Sequence, residues 1–155
     1  MEQQKWNIRF MKLAIEASQW SNCGKRKVGA VLVRDRSVLS IAYNGSLPGA
    51  YNCTKEICGD PLGSRYIEEG MSVCNFRASH AECNAIALAA KNGVSTDNAS
   101  LYCTLKPCAS CVKLICMAGI KEVYYLDEYI NGSENYQAYL TMLYEETKIK
   151  FIKMG

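Results

Sequence analysis

The sequence predicts an α/β fold in which a mixed sheet is covered by helices. Three observations carry this reading. A helical apolar repeat opens the chain, a hairpin follows it, and strands then alternate with helices to the last residues.

In order, Asn7 to Gln19 predicts an amphipathic helix, because Ile8, Met11, Ala14 and Ile15 recur at helical spacing. Ser21 to Lys27 is polar, contains Gly24 and predicts a loop. Val28 to Val33 and Val38 to Tyr43 predict two strands, joined by a turn at Arg34-Asp35-Arg36-Ser37. Ala81 to Lys91 is rich in Ala, Leu and Ile and ends at Asn92-Gly93, a helix stop. Leu101 to Thr104 predicts a strand. Pro107 suits the first turn of a helix reaching about Ala118, stopped by Gly119. A strand at Glu122 to Leu126, a helix at Glu134 to Glu145 and a strand at Lys148 to Ile152 complete the pattern.

One stretch resists assignment. Asn44 to Arg77 carries Gly45, Pro48, Gly49, Gly59, Pro61, Gly63 and Gly70, and also Cys53, Cys58 and Cys74. A long irregular insertion inside a compact domain is usually functional and needs something to pin it.

Composition narrows the function. A chain of 155 residues fits one domain, here 1–155 with the insertion at about 44–77. The formal charge of +3 is too small for the basic stripe that nucleic acid binding usually shows. The apolar runs are too short to span a bilayer, and Met1 to Lys5 begins no signal-peptide pattern, so a cytoplasmic location is expected. Nine cysteines in such a chain favour metal binding over disulfides. The single histidine, His80, is the one imidazole a metal site could use.

Two motifs carry the chemistry: His80-Ala81-Glu82 and Pro107-Cys108-Ala109-Ser110-Cys111. Each opens a predicted helix. One His and two Cys can supply three ligands of a tetrahedral zinc and leave the fourth position to water. Cys108 and Cys111 are three apart and share a face of the first turn, where the helix N-terminus favours thiolates. Glu82, two past His80, suits a proton carrier beside that water rather than a ligand. The pairing of H-x-E with P-C-x-x-C is the known signature of zinc nucleobase deaminases.

The resemblance extends further. Lys27-Val28-Gly29-Ala30-Val31, Tyr43-Asn44-Gly45, His80 to Ile86, Leu101 to Cys111 and Ala118-Gly119-Ile120-Lys121 resemble the deoxycytidylate (dCMP) deaminases. The resemblance implies a three-layer cytidine deaminase-like fold with a five-stranded sheet and helices on both faces. It implies hydrolysis of dCMP to dUMP and ammonia, feeding thymidylate synthesis, and commonly a homohexamer. It also implies zinc on His80, Cys108 and Cys111, with Glu82 deprotonating the zinc water, protonating N3 of cytosine and assisting ammonia as hydroxide attacks C4. Backbone near Ala81 and Cys108 would orient the base. Asn44 matches an asparagine near the sugar or base, though Asn-Gly is also an ordinary turn. Arg26 and Lys27 are candidates for the 5′-phosphate, with solvated surface charge as the alternative. Tyr125 is a candidate to close the pocket, or a plain strand aromatic.

Cys23, Cys53, Cys58 and Cys74 fall where similar bacterial and phage enzymes often carry cysteines, which implies a second, structural Zn²⁺. Cys83, Cys103 and Cys116 are expected to be buried apolar thiols. Many similar enzymes bind dCTP or dTTP with Mg²⁺ between subunits. Gly45, Ser46 and Gly49 are the candidate contacts here, although Leu47 stands where those enzymes tend to have proline.

Two other readings compete. A same-fold deaminase of tRNA adenosine or single-stranded DNA would need a basic, aromatic-lined channel. A zinc-stabilised interaction module would have no use for Glu82.

Overall fold

The structure, a computed structural model, describes residues 1–52, 66–68, 71–72 and 77–155. Cys53, Cys58 and Cys74, and most of the insertion, lie outside the described residues. Helix α1 (Glu2–Gln19) precedes the hairpin β1 (Gly29–Arg34) and β2 (Ser37–Tyr43). The short strands β3 (Gly45–Ser46), β4 (Tyr66–Glu68), β5 (Met71–Ser72) and β6 (Ala78–Ser79) follow. Then come α2 (Ala81–Lys91), β7 (Ser100–Leu105), α3 (Ala109–Met117), β8 (Glu122–Asp127), α4 (Glu134–Glu146) and β9 (Lys150–Lys153).

The main sheet has five strands in the order β2-β1-β7-β8-β9. β1 runs antiparallel to β2 and β7, whereas β7, β8 and β9 are mutually parallel. The hairpin turns through Asp35 and Arg36, both at positive φ, the conformation that a two-residue turn needs to match strand twist. Period-two alternation splits the strands into two faces. Ala30, Leu32, Leu101, Cys103, Val123 and Tyr125 face α2 and α3. Val31, Val33, Tyr102 and Tyr124 face Phe10, Met11 and Ala14 of α1.

Helix α1 starts five residues before the apolar repeat that predicts it. Glu2 to Lys5 are polar and exposed, so they leave no periodic signal, yet Glu2 pairs with Arg36 at 3.1 Å. The buried face also differs from the expectation. Phe10, Met11, Ala14 and Ala17 are buried, while Ile8 and Ile15 stay 45% and 41% exposed. The fit of α1 on the sheet depends on Gly29: a Cβ there would lie 1.9 Å from the Ala14 carbonyl oxygen.

Pro107 lies before α3 rather than in its first turn, and Cys108 is the N-cap. The predicted strand at Lys148 begins two residues later, at Lys150. Strands β3 and β6 pair, Gly45 with Ser79 and Ser46 with Ala78. This closes the insertion at its base and brings His80 beside the Asn44 turn.

Candidate active site

The starts of α2 and α3, the carboxyl ends of β7 and β8, the start of β1 and the end of β2 meet at one end of the sheet. Ligand sites of open α/β sheets form beyond the carboxyl ends of parallel strands. Here a cavity is lined by Arg26, Asn44, His80, Glu82, Lys106 and Cys108, among others.

His80 and Cys108 are the N-caps of α2 and α3, both in extended backbone conformation. This places their side chains at two helix mouths that face each other. His80 Nδ1 is 3.4 Å from Cys108 Sγ and 3.4 Å from Cys111 Sγ. The three ligand atoms lie within 4.8 Å of one another, and no other His, Cys, Asp or Glu among the described residues joins them at that spacing. A tetrahedral zinc with bonds of about 2.3 Å to sulfur and 2.0 Å to nitrogen sets an N–S edge of about 3.5 Å.

The charge balance also calls for a cation. Hydrogen bonding from Cys111, and then from His80, pulls the Cys108 thiol down to about 4 against its burial. Contact with Cys108 and Cys83, together with burial, pushes the Cys111 thiol up. Two adjacent sulfurs cannot both ionise unless a positive charge sits between them. The Cys108 thiolate in turn raises His80 to about 9. A soft divalent cation fits this donor set, since it holds both sulfurs as thiolates and the imidazole as a neutral ligand.

Glu82 is 4% exposed and stands outside the converging triad. Burial pushes its carboxyl up to about 6, close to neutrality, where a group both takes and gives protons readily. Ala81 is fully buried and lines the cavity beside it.

The rim comes from other segments. Asn44 is buried, and its side chain spans the loop before β1. Oδ1 accepts the Val28 N–H at 2.8 Å, and Nδ2 donates to the Arg26 carbonyl at 2.8 Å. Ser21 Oγ donates to the Asn44 carbonyl at 2.7 Å. Among the described residues, Asn44 Nδ2 donates to the Arg26 carbonyl alone. Arg26 lines the cavity and pairs with Asp127 at 3.1 Å. Lys27 and Tyr125 do not line it. The Tyr125 ring packs in the core, and its hydroxyl reaches outward to donate to exposed Glu128 at 3.1 Å.

Several lining residues escape the sequence reading: Lys25, Lys106, Tyr129 and Asn131. Lys106 had a signal, since it sits inside the Leu105-Lys106-Pro107-Cys108 run. Its ammonium pairs with Glu128 at 3.3 Å and lies over the rings of Tyr125 and Tyr144. Tyr129 follows β8 with no motif around it. Cys23 also lines the cavity, while Gly45, Ser46 and Gly49 do not. Of the three cysteines expected to be buried, Cys103 is buried, Cys83 is half-buried with its sulfur 3.8 Å from that of Cys111, and Cys116 is exposed. Arg77 donates to the Tyr51 carbonyl at 3.3 Å, which ties the end of the insertion to its start.

Residues 4–127 match the family model described as the cytidine and deoxycytidylate deaminase zinc-binding region. The chain belongs to this family. The matched stretch of this deaminase-family chain ends with β8, so α4 and β9 lie beyond it. ComE operon protein 2 of Bacillus subtilis (strain 168) is 40% identical over 129 residues, 83% of this chain. The chain spans 63% of the length of that relative, less than two thirds. The deoxycytidylate deaminase of Mycobacterium phage D29 is 36% identical, with 83% of this chain and 99% of the phage protein aligned. The crystal structure of dCMP deaminase from cyanophage S-TIM5 in complex with dCMP and dUMP is 35% identical. It superposes with a TM-score of 0.70 over 94% of both chains. Among the described residues, no helix is long and apolar enough to cross a membrane.

Proposed function

We propose that this chain hydrolyses dCMP to dUMP and ammonia, with zinc held by His80, Cys108 and Cys111. One observation carries the reading: the imidazole and two thiols converge at tetrahedral spacing beside a buried carboxyl, Glu82, that is not a ligand. The choice of dCMP is supported by the cyanophage relative that binds dCMP and dUMP.

When bound, the zinc supplies Lewis acidity that brings the pKa of a water near 7. Glu82 takes a proton from the attacking water and gives it to N3 of cytosine. After the oxygen adds to C4, Glu82 takes the remaining hydroxyl proton and delivers it to the amino group. The C4–N4 bond then breaks and ammonia leaves, so the net reaction adds one water and frees one ammonia. Burial of Glu82 excludes bulk water from this transfer. The Asn44 side-chain amide and the backbone at Ala81 orient the base and sugar. Arg26 meets the 5′-phosphate, with Lys27 next to it in the chain but off the cavity lining, and the Tyr125 ring supports Lys106 from outside that lining.

Further elements of the same reading come from the resemblance. A second, structural Zn²⁺ on Cys23, Cys53, Cys58 and Cys74 would order the insertion. dCTP and dTTP, with Mg²⁺, would act through Gly45, Ser46 and Gly49 in a homohexamer in the cytoplasm. The whole of 1–155 is one domain in this account.

The test is to incubate purified protein with dCMP, CMP, deoxycytidine and a short oligonucleotide and to follow ammonia. Turnover of dCMP is expected, together with a drop of about 10³-fold in Glu82→Gln while zinc is retained. Deamination of the oligonucleotide in preference to dCMP would overturn the substrate assignment, and an unchanged Glu82→Gln rate would overturn the role of Glu82. About two zinc ions per chain are expected, and one would reject the second site.

A further inference from the structure

Helix α4 grips the backbone on both sides of Cys108. The Tyr136 hydroxyl oxygen accepts the Ala109 N–H at 3.2 Å, and the Tyr144 hydroxyl donates to the Pro107 carbonyl at 2.5 Å. Ala109 is the first residue of α3, so its N–H has no partner within the helix. Cys108 makes no side-chain cap bond, because its sulfur is turned to His80. Tyr136 therefore satisfies from another element one of the unpaired N–H groups at the start of α3. Pro107 is buried, and a buried carbonyl needs a donor. Burial pushes the Tyr144 phenol well above its ordinary range, so it keeps the proton it donates.

The clamp is itself braced. The Tyr144 ring packs on Phe151 at 4.6 Å and carries the Lys106 ammonium at 4.3 Å, while Tyr136 packs on Tyr129 at 6.1 Å. Leu140, one turn along α4, is 2% exposed and docks the helix. All of α4 lies beyond the stretch matched to the family.

We propose that Tyr136 and Tyr144 are positioning residues for the zinc site, holding the peptide groups on either side of Cys108 so that its thiolate stays aimed at the metal. The inference rests on zinc being held by His80, Cys108 and Cys111. A cysteine ligand between two free peptides can rotate away whenever its bond to the metal loosens. With both peptides tied, the sulfur stays within rebinding distance, so the clamp should act most on the rate of metal release.

The test compares zinc-loaded wild type with Tyr136→Phe, Tyr144→Phe and the double variant, each lacking only hydroxyls. Zinc release to excess chelator is expected to speed up about fivefold per hydroxyl, the equivalent of one hydrogen bond of about 1 kcal/mol. In the cobalt-substituted protein, the thiolate-to-cobalt charge-transfer band should shift in the double variant. For dCMP, kcat should fall while KM stays within about twofold, since neither substituted hydroxyl lines the cavity. Val33→Ala, on the opposite face of the sheet, controls for general loss of stability. Release from the double variant at the wild-type rate would overturn the clamp. So would equal acceleration in Val33→Ala. If the double variant fails to fold, the two single variants decide by the same readouts. A wild type that binds zinc but turns over no dCMP defeats the proposed reaction and leaves the release comparison to judge the clamp. A wild type that binds no zinc defeats both.

Discussion

The floor of the cavity takes His80, Glu82 and Cys108, with Cys111 buried behind them, from two helix starts, whereas its rim takes Arg26, Asn44, Lys106 and Tyr129 from four separate segments. The floor is held by local geometry. An extended N-cap followed by a helical turn fixes where each ligand points. The rim is held by long-range polar contacts: Asn44 to Val28 and Arg26, Arg26 to Asp127, and Lys106 to Glu128. A floor of this kind resists change until a ligand is lost. A rim of this kind should yield by degrees, one contact at a time.

The most severe test of that division is to remove the metal. Dialysis against a chelator is expected to lower dCMP turnover by about 10³-fold or more, with recovery on adding Zn²⁺. If floor and rim are separable, the stripped protein should still bind the non-reacting product dUMP, with a Kd within about threefold of the loaded protein by calorimetry. Loss of dUMP binding along with the metal would break the comparison, because the rim would then depend on the floor.

The next largest effect is expected at Gly29, behind the rim. Gly29→Ala would drive a Cβ to 1.9 Å from the Ala14 carbonyl oxygen and 2.7 Å from the Ser18 backbone nitrogen. Both are backbone atoms of α1 or its last turn, so the helix must shift as a body. A loss of about 3 kcal/mol in urea unfolding is expected, at the upper end for overpacking. Unchanged stability would mean that α1 does not seat on β1 as closely as described.

How much of this was legible in the sequence follows the same division. His80-Ala81-Glu82 and Pro107 to Cys111 announce the floor, because local geometry needs only neighbours in sequence. The sheet was legible where residues alternate, as in Val28 to Val33, and the helices where apolar residues recur. The start of α1 was not, since Glu2 to Lys5 bury nothing. Nor was its buried face, because Ile8 and Phe10 compete for it and only packing against Val31 and Tyr102 selects Phe10. The rim was legible in part. Asn44 and Arg26 are visible in motifs, and strand alternation alone buries Tyr125, but bringing Tyr129 to the cavity depends on where β8 ends. Lys106 is a lone lysine with no period or partner in the sequence until Glu128 folds back to it.

A milder change acts on the rim alone. Asn44→Ala removes two bonds at 2.8 Å that tie residues 26–28 to the end of β2. The Val28 N–H and Arg26 carbonyl are left unsatisfied, a loss of about 1–3 kcal/mol in stability. Arg26 would then wander, so KM for dCMP is expected to rise about tenfold while zinc content stays at the wild-type level. A fall in zinc content, measured on the same sample, would join Asn44 to the floor.

The smallest effect is also the most discriminating. Arg26 and Asp127 are 42% and 68% exposed, so their ion pair at 3.1 Å contributes little to stability, at most about 1 kcal/mol. Its consequence is electrostatic. Asp127 occupies the guanidinium that a 5′-phosphate would use in the proposed reaction, and its own charge would repel that dianion. Asp127→Asn removes the repulsion and frees Arg26, so KM for dCMP should fall about twofold at low salt. The gain should shrink as salt rises and vanish for deoxycytidine, which carries no phosphate. An equal gain for both substrates would place Arg26 away from the phosphate. A gain confined to dCMP would make Asp127 a brake on the rim, set by the residue at which β8 ends.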